Sequence, residues 1–307
     1  MTAEARTAPS GSDAGLDAAL ASASRALDEG RPAEALAVLD PMLAADPDSI
    51  APLTSSIAAA RMTGDIARAQ ALADRLAALM PNNLVSNATA RALAGRPLGF
   101  QPAGLDRVVP VLLIDDALPA AARDAIWAEA FGRIDRFTEA TVIDGGGRYS
   151  DGAVRSSRLI ETADGAALAA VDRVRAELDR AMAAFGLAAR PDGRTEVQVT
   201  LHGDGDFFRC HQDRPNDRVA AIDGRRISFV YYMCRTPRRF RGGQLRIYDW
   251  MFGGVGYRQE RWTLVEPQDN RLIVFPSDAY HEVLPLALDS ADSQDGRLTV
   301  NGWLHVA

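Results

Sequence analysis

The chain has 307 residues, of which 47% are hydrophobic and 24% are charged, and its net charge is −7. This composition is typical of a folded protein with one large domain or two ordinary ones. The acidic balance argues against a nucleic-acid partner, because a protein that binds a duplex needs a basic face. All 34 basic residues are arginines, which excludes catalysis through a Schiff-base lysine or a Walker lysine.

The two cysteines, Cys210 and Cys234, are too few for a disulfide framework or a cysteine-ligated zinc site. Residues 1–14 are rich in Ala, Ser, Thr and Gly, and we expect them to form a disordered arm. They contain no basic segment followed by an apolar run, and no later stretch is long and apolar enough to span a bilayer. The sequence therefore predicts a cytoplasmic protein without membrane contact.

Residues 15–94 are rich in Ala, follow a helical pattern and carry an internal repeat. Three residues recur with an offset of 34: Gly30, Ala35 and Pro47 return as Gly64, Ala69 and Pro81. This period, with Gly between two helices and Pro after the second, is similar to the tetratricopeptide repeat, although the aromatic positions of that repeat are empty. Two interpretations stay open: a surface that binds a peptide, a protein partner or a second copy, and a bundle that only stiffens the rest of the chain.

Residues 95–107 are predicted to be a linker because of their Gly and Pro content. Residues 108–307 then combine a few helices with many short strands. One helix is predicted over 118–131 and a second, long amphipathic one over 165–186. From Thr195 onward nearly every segment is a strand or a turn, which indicates a sandwich or jelly roll. The predicted fold class is therefore α+β, with an all-α segment in front of the strand-rich domain.

A candidate metal site combines a His-x-Asp pair with a distant histidine. His211 and Asp213 are separated by one residue, so on an extended strand both side chains point to the same face. His281 follows a strand and a turn later in the chain. Two imidazoles and one carboxylate on one face of an ion leave three coordination positions open, as in non-haem Fe(II) oxygenases.

A candidate anion site lies on the last predicted strand. The guanidinium of Arg297 suits a fork-shaped hydrogen-bonded pair with a carboxylate. Thr299 lies two residues further on and points the same way. Arg297, Thr299, Asn301 and Trp303 share one face, whereas Leu298, Val300 and Leu304 share the other. We expect the apolar face to be covered by helices and the Arg297 face to lie inside a barrel.

These residues resemble the prolyl 4-hydroxylase-like branch of the Fe(II)/2-oxoglutarate oxygenases over about two thirds of the chain. The matching pieces also include Gly242-Gly243-x-Leu245, Pro276-Ser277 before His281, and Trp303 after Arg297. The resemblance implies a double-stranded β-helix with supporting helices. It also implies a metal site of His211, Asp213 and His281, and a co-substrate site of Arg297, Tyr231, Thr299, Leu245 and Trp303. The implied cofactors are Fe(II), 2-oxoglutarate and O2, with ascorbate as the expected reductant.

The sequence departs from the family pattern at two places. The strand before His211 carries Leu201 and His202 where a tyrosine is frequent, and the segment between His281 and Arg297 is unusually long. His202 and His305 are interpreted as structural or supporting residues. Arg155, Arg158 and Tyr149, in and beside a Gly-rich loop over 144–158, are candidates for contact with the substrate.

The function that this resemblance implies is hydroxylation of an unactivated C–H group, with release of succinate and CO2. The expected substrate is a peptidyl residue such as Pro, Asp or Asn. Two alternatives stay open: a hydroxylase of a free amino acid or small natural product, and a non-catalytic repeat adaptor with a degenerate barrel. The oligomeric state stays open as well.

Overall fold

The structure is a computed structural model that describes residues 11–98, 106–144, 147–161, 165–191, 194–214, 222–251 and 256–306. The described residues form eight α-helices: α1 (Gly11–Asp28), α2 (Pro32–Ala45), α3 (Ile50–Thr63), α4 (Ile66–Leu79), α5 (Leu84–Leu93), α6 (Ala120–Gly132), α7 (Leu168–Ala176) and α8 (Leu178–Phe185). Eight strands fall before residue 212: β1 (Leu112–Ile114), β2 (Thr138–Glu139), β3 (Val142–Asp144), β4 (Gly147–Tyr149), β5 (Arg155–Ser156), β6 (Arg158–Glu161), β7 (Thr195–His202) and β8 (Phe207–His211). Eight more follow: β9 (Arg225–Met233), β10 (Phe240–Gly242), β11 (Leu245–Trp250), β12 (Tyr257–Val265), β13 (Arg271–Pro276), β14 (His281–Val283), β15 (Leu286–Leu288) and β16 (Arg297–His305).

Two antiparallel sheets form the body of the strand-rich region. The large sheet has the strand order β1-β13-β9-β16-β7-β6-β2, and the small sheet has the order β12-β11-β14-β8-β5. Most neighbours in the two sheets come from distant parts of the sequence, as in a jelly roll. The predicted α+β class and jelly-roll architecture are confirmed.

The outer face of the large sheet packs against α6, α7 and α8. On β16, Leu298, Val300 and Leu304 belong to this layer, as the alternating pattern predicted. They meet helix residues such as Val174 and Phe185. Since successive strand residues point to opposite faces, the same register sends Arg297 into the space between the sheets.

The single helix predicted over 165–186 is instead two helices. α7 ends at Ala176 and α8 begins at Leu178, with Glu177 between them at φ −97° and ψ 4°. The amide of Glu177 donates to the Val174 carbonyl three residues back, a tightened turn that interrupts the α-helical ladder. The apolar stripe still reaches the sheet, because Val174, Leu178 and Phe185 are all buried.

The N-terminal helices form two antiparallel pairs, α1/α2 and α3/α4, followed by α5. Gly30 and Gly64 stand between the helices of each pair with φ of 70° and 85°, a conformation that favours glycine. The first helix begins at Gly11, before the predicted end of the disordered arm at residue 14. Residues 1–10, most of the predicted linker (99–105) and Gly145–Gly146 of the Gly-rich loop lie outside the described residues.

The first three helices pack against the outer face of the small sheet. Trp262 and Tyr248 of that sheet are buried among alanines and Met62 of α1 to α3. The indole Nε1–H of Trp262 donates to the carbonyl of Met62 at 3.1 Å, which satisfies an unpaired group at the end of α3. The Trp262 ring also approaches Gly30, where a Cβ would lie 3.2 Å from it.

A buried ion pair fixes this contact. The guanidinium of Arg61 on α3 donates to both carboxylate oxygens of Asp249 on β11, at 2.8 and 2.7 Å. It also donates to the hydroxyl of Thr263 on β12 at 3.0 Å. All three side chains are buried. The face that α1 and α3 turn toward the small sheet is therefore covered by the chain's own strands. No helix in the described ranges is both long enough and apolar enough to cross a bilayer.

Replacing Arg61 with Met should destabilise the protein by about 3–5 kcal/mol, because Asp249 would be left buried without a counter-charge. Arg68→Met is the matched control, since Arg68 pairs with Asp40 near the surface and its loss should cost less than about 1 kcal/mol. Urea unfolding followed by fluorescence measures both free energies of unfolding. Equal losses for the two variants would contradict the importance of the buried pair.

Candidate metal centre

Two neighbouring strands of the small sheet bring the candidate histidines together. His211 is the last residue of β8 and His281 is the first residue of β14, and the two are direct partners in the antiparallel register. Their ring centroids are 4.2 Å apart. Asp213 follows β8 and is buried beside them. Because the pairing is set by the backbone, the sheet itself holds the two imidazoles close together.

The donor atoms of His211, Asp213 and His281 lie within 4.8 Å of one another, and no other cluster of this kind occurs in the described residues. The Nε2 atoms of His211 and His281 are 3.8 and 3.6 Å from the carboxylate oxygens of Asp213. Each Nδ1 lies near a backbone carbonyl: Arg209 at 2.7 Å and Ala279 at 2.9 Å. With Nδ1–H donated there, both Nε2 lone pairs face the carboxylate, as metal-ligating histidines require.

The charge states of this trio also suit a cation. Burial, helped by the charge of His281, lowers the pKa of His211 to about 3, so its imidazole is neutral and able to ligate near pH 7. Burial alone would raise the pKa of Asp213, but His281, His211 and Arg225 lower it overall. The hydroxyl of Ser228 donates to Asp213 Oδ2 at 2.6 Å and orients the carboxylate. Two imidazoles and one carboxylate fit a divalent ion of the Fe(II) type.

Arg297 lies at the other end of the same cavity. Its side chain is only 1% exposed, and its Nη1–H donates to Nδ1 of His202 at 3.1 Å. The guanidinium carbon lies 4.9 Å from the ring centroid of Tyr232. Nε and Nη2 of Arg297 have no hydrogen-bond partner in the part of the chain that the structure describes. A buried cation with unused donors requires an anion, so this end of the cavity fits the carboxylate of a bound acid.

The cavity between Arg297 and the metal trio has largely apolar walls. Leu245 and Trp303, both predicted to line the co-substrate site, line it together with Phe208, Phe275 and Val283. Thr299 is fully buried on the Arg297 face of β16, and its hydroxyl lies 3.4 Å from the carbonyl oxygen of Thr200. Thr299 is not among the cavity-lining side chains, so its predicted contact with the co-substrate stays a prediction.

The prediction for Tyr231 is wrong, because that side chain lies on the opposite face of β9. Tyr231 packs in the layer between the large sheet and the helices, and its hydroxyl donates to Asn270 at 2.8 Å. Tyr232 pairs with Thr299 across the sheet and shares the Arg297 face. Two adjacent tyrosines of a strand point in opposite directions, and the choice between them depends on the register with β16.

The three candidates for substrate contact fall in different places. A second depression, here called the mouth, adjoins the cavity and shares His211, Phe208 and Trp303 with it. Arg155 lines both, and its guanidinium carbon lies 4.7 Å from the Phe208 ring centroid. Tyr149 stands at the mouth and is 43% exposed. Arg158 is exposed on β6 and belongs to neither lining. The structure therefore brings Arg155 and Tyr149 to the site and leaves Arg158 outside it.

Three further residues that lie at the site were not predicted from the sequence: His202, Tyr232 and Gln198. His202 and Gln198 lie on β7, directly beside β16, and point into the cavity. The alternation of β7 contained the signal, since Gln198, Thr200 and His202 alternate with the buried apolar residues Val197, Val199 and Leu201. A polar stripe on a central strand indicates a lined cavity rather than a dry core.

Comparison with known proteins agrees with this geometry. Residues 197–305 match the model of the 2OG-Fe(II) oxygenase superfamily. An uncharacterized PKHD-type hydroxylase of Synechocystis is 27% identical over 194 residues, which are 62% of this chain and 61% of that protein. The match thus spans about three fifths of the relative's length.

Two solved structures are also similar. A Pseudomonas putida prolyl-4-hydroxylase is 26% identical, with a TM-score of 0.46 over 65% of this chain and 94% of that one. A Trichoplax adhaerens prolyl hydroxylase, in complex with a peptide fragment of the hypoxia inducible factor oxygen degradation domain, is 19% identical. Its TM-score is 0.49 over 64% of this chain and 83% of that one.

The jelly roll with its His-Asp-His trio defines a metal-dependent oxygenase domain. More closely, residues 197–305 belong to the 2OG-Fe(II) oxygenase superfamily, and the chain is similar to a PKHD-type hydroxylase. The family predicted from the sequence is confirmed.

His211→Ala and His281→Ala should each weaken Mn²⁺ binding by at least about 100-fold, more than is typical when a hydrogen-bond partner of a ligand is lost. His305→Gln is the matched control, because His305 lies 2.6 Å from Glu196 rather than beside the trio. Titration followed by electron paramagnetic resonance counts the free Mn²⁺. Undiminished binding in His211→Ala would rule out this trio as the site.

His202 should make the metal-free protein lose stability as the pH falls. Burial, with the nearby Arg297 and Arg155, holds its pKa well below 6.5, so the unfolded chain binds a proton that the folded chain does not. The wild type should therefore lose about 1.4 kcal/mol more than His202→Gln between pH 7.5 and pH 5.5. Urea unfolding at both pH values measures this difference, and parallel losses would contradict the low pKa.

Proposed function

We propose that this protein is an Fe(II)- and 2-oxoglutarate-dependent dioxygenase that hydroxylates an unactivated C–H group and releases succinate and CO2. One observation carries the proposal: a single cavity joins the candidate metal trio to a buried arginine, two of whose donor nitrogens have no partner among the described residues. A metal ion with open positions and an anchor for a second carboxylate are the two things that a 2-oxo dicarboxylic acid needs.

The two ends of the cavity would bind different groups, the metal ion at one end and a carboxylate at the other. His211, Asp213 and His281 would hold Fe(II), which with 2-oxoglutarate and O2 supplies the oxidant for C–H hydroxylation. Arg297 would bind the far carboxylate of 2-oxoglutarate and so fix its orientation. Phe208, Phe275 and Leu245 line the space between and exclude water from the reacting groups.

For the substrate we propose a peptidyl residue such as Pro, Asp or Asn. The mouth beside His211 supports this, because it is bordered by the paired strands β3 and β4 and by the exposed Tyr149. Arg155 and Gln198 reach both the mouth and the deeper cavity, and they would contact backbone carbonyl and amide groups of such a chain. The name of the Synechocystis relative as a hydroxylase agrees with the reaction type.

The helical repeats serve, in this proposal, as a scaffold for the small sheet that carries His211 and His281. The support is the packing of α1 and α3 on that sheet and the pair between Arg61 and Asp249. A protein partner or a second copy would have to use the outward faces of these helices. We further propose a cytoplasmic protein that uses ascorbate to keep its iron reduced.

With Fe(II), ascorbate and 2-oxoglutarate, the wild type should release succinate slowly even without substrate, and His211→Ala should release none. Arg297→Ala should raise the KM for 2-oxoglutarate at least about 30-fold, because a buried charge-assisted contact is lost. Succinate is measured by liquid chromatography, with His305→Gln as the control that keeps turnover. Succinate formation that persists in His211→Ala would contradict the assignment of the trio.

A peptide substrate should be hydroxylated, with a mass increase that requires both O2 and 2-oxoglutarate. Peptides rich in Pro, Asp and Asn are compared with a panel of free amino acids and small metabolites. Tyr149→Ala should reduce kcat/KM for the peptide by about 10-fold or more while turnover without substrate stays unchanged. Hydroxylation of free amino acids alone would replace the peptide proposal with a small-molecule hydroxylase.

A further inference from the structure

His202 is a buried histidine of β7 that lies beside Arg297 in the large sheet and is not one of the candidate metal ligands. It is 3% exposed and lines the cavity that leads from Arg297 to the trio. Its direct partner across the sheet is Arg297 on β16, and Thr299 lies two residues further along that strand. The sequence alone indicated only a supporting role for it.

The protonation state of His202 follows from its contact with Arg297. A guanidinium has only donors, so the 3.1 Å contact between Arg297 Nη1 and His202 Nδ1 requires a lone pair on Nδ1. Burial, together with the charges of Arg297 and Arg155, keeps the imidazole neutral. A neutral ring with an unprotonated Nδ1 must carry its proton on Nε2.

The resulting Nε2–H of His202 is a buried donor without a partner among the described residues. The Nε and Nη2 groups of Arg297 are in the same situation. An unsatisfied buried donor is costly, typically by about 1–3 kcal/mol, so three of them on two touching side chains are not explained by packing. They are explained by a ligand that offers acceptors and no donors, which describes a carboxylate.

We infer that His202 is a binding residue for the co-substrate, and that its Nε2–H donates to the carboxylate of a dicarboxylic 2-oxo acid that Arg297 anchors. The inference rests on the proposed function and adds a second residue to its anion site. His202 would thus have two roles: Nδ1 holds the guanidinium in place, and Nε2–H recognises the ligand. An amine at that end of the ligand, or the NH2 group of an amide, would place donors against donors and bind less well than a carboxylate.

Calorimetry on the Mn²⁺-loaded protein tests the contact. His202→Phe keeps the ring size but removes acceptor and donor, and it should weaken 2-oxoglutarate binding by about 10–100-fold. His202→Gln can accept from Arg297 and donate to the ligand, so it should stay within about 3-fold of the wild type. Binding of 2-oxopentanoate, which has the same chain length without the second carboxylate, should be equal in wild type and His202→Phe.

Nitrogen NMR on the wild type, loaded with diamagnetic Zn²⁺, tests the same inference without any variant. Because the chain has only four histidines, their ring nitrogens can be assigned by substitution. His202 should show the Nε2–H tautomer, and its Nε2 proton should shift when 2-oxoglutarate is added. A residue that only positions Arg297 would show no shift of that proton.

The outcomes separate the two claims. An Nδ1–H tautomer, or full 2-oxoglutarate affinity in His202→Phe, would overturn the role of His202 and leave the proposed function intact. Equal weakening of 2-oxoglutarate and 2-oxopentanoate would overturn it too, because the defect would then be general. A wild type that binds no 2-oxoglutarate with Mn²⁺ would overturn the proposed function, and the inference with it.

Discussion

The structure depends on keeping one guanidinium inside a protein. Arg297 sits on β16, in the middle of the large sheet, with helices behind the sheet and the small sheet in front of it. A cation in such a place is stable only if its surroundings supply acceptors or a counter-ion. Among the described residues the protein supplies Nδ1 of His202 as an acceptor at 3.1 Å, and the Tyr232 side chain lies beside the guanidinium. Nε and Nη2 of Arg297 have no partner among the described residues, and they are the donors that the proposed function assigns to an anion.

The metal trio is built on a different principle, since it relies on backbone pairing rather than on charge. His211 and His281 are register partners on β8 and β14, and each ring is fixed by a carbonyl two residues before it. Ser228 reaches across from the large sheet to hold Asp213. All three ligands are thus carried by the small sheet, and the large sheet contributes the hydroxyl of Ser228 that orients the carboxylate.

The sequence was informative wherever local chemistry determines the outcome. The His-x-Asp spacing and the two faces of β16 follow from the two-residue period of a strand, and the structure shows both faces as predicted. The glycines between the helices follow from backbone conformation, since their φ angles are positive. Tyr231 and Tyr232 show the limit, because only the pairing with a strand about 70 residues away decides which one faces the site. The break at Glu177 and the tautomer of His202 likewise depend on tertiary contacts that no local pattern records.

The pair between Arg61 and Asp249 also has a consequence for how the chain is made. Its partners are 188 residues apart, so the helix that carries Arg61 leaves the ribosome long before its strand does. At ordinary rates of synthesis that interval is roughly 10–40 s. During it the faces of α1 and α3 that later receive Trp262 and Tyr248 stand open to the cell. These apolar faces can therefore be covered only after β11 and β12 have been synthesised, so the N-terminal helices reach their final packing late.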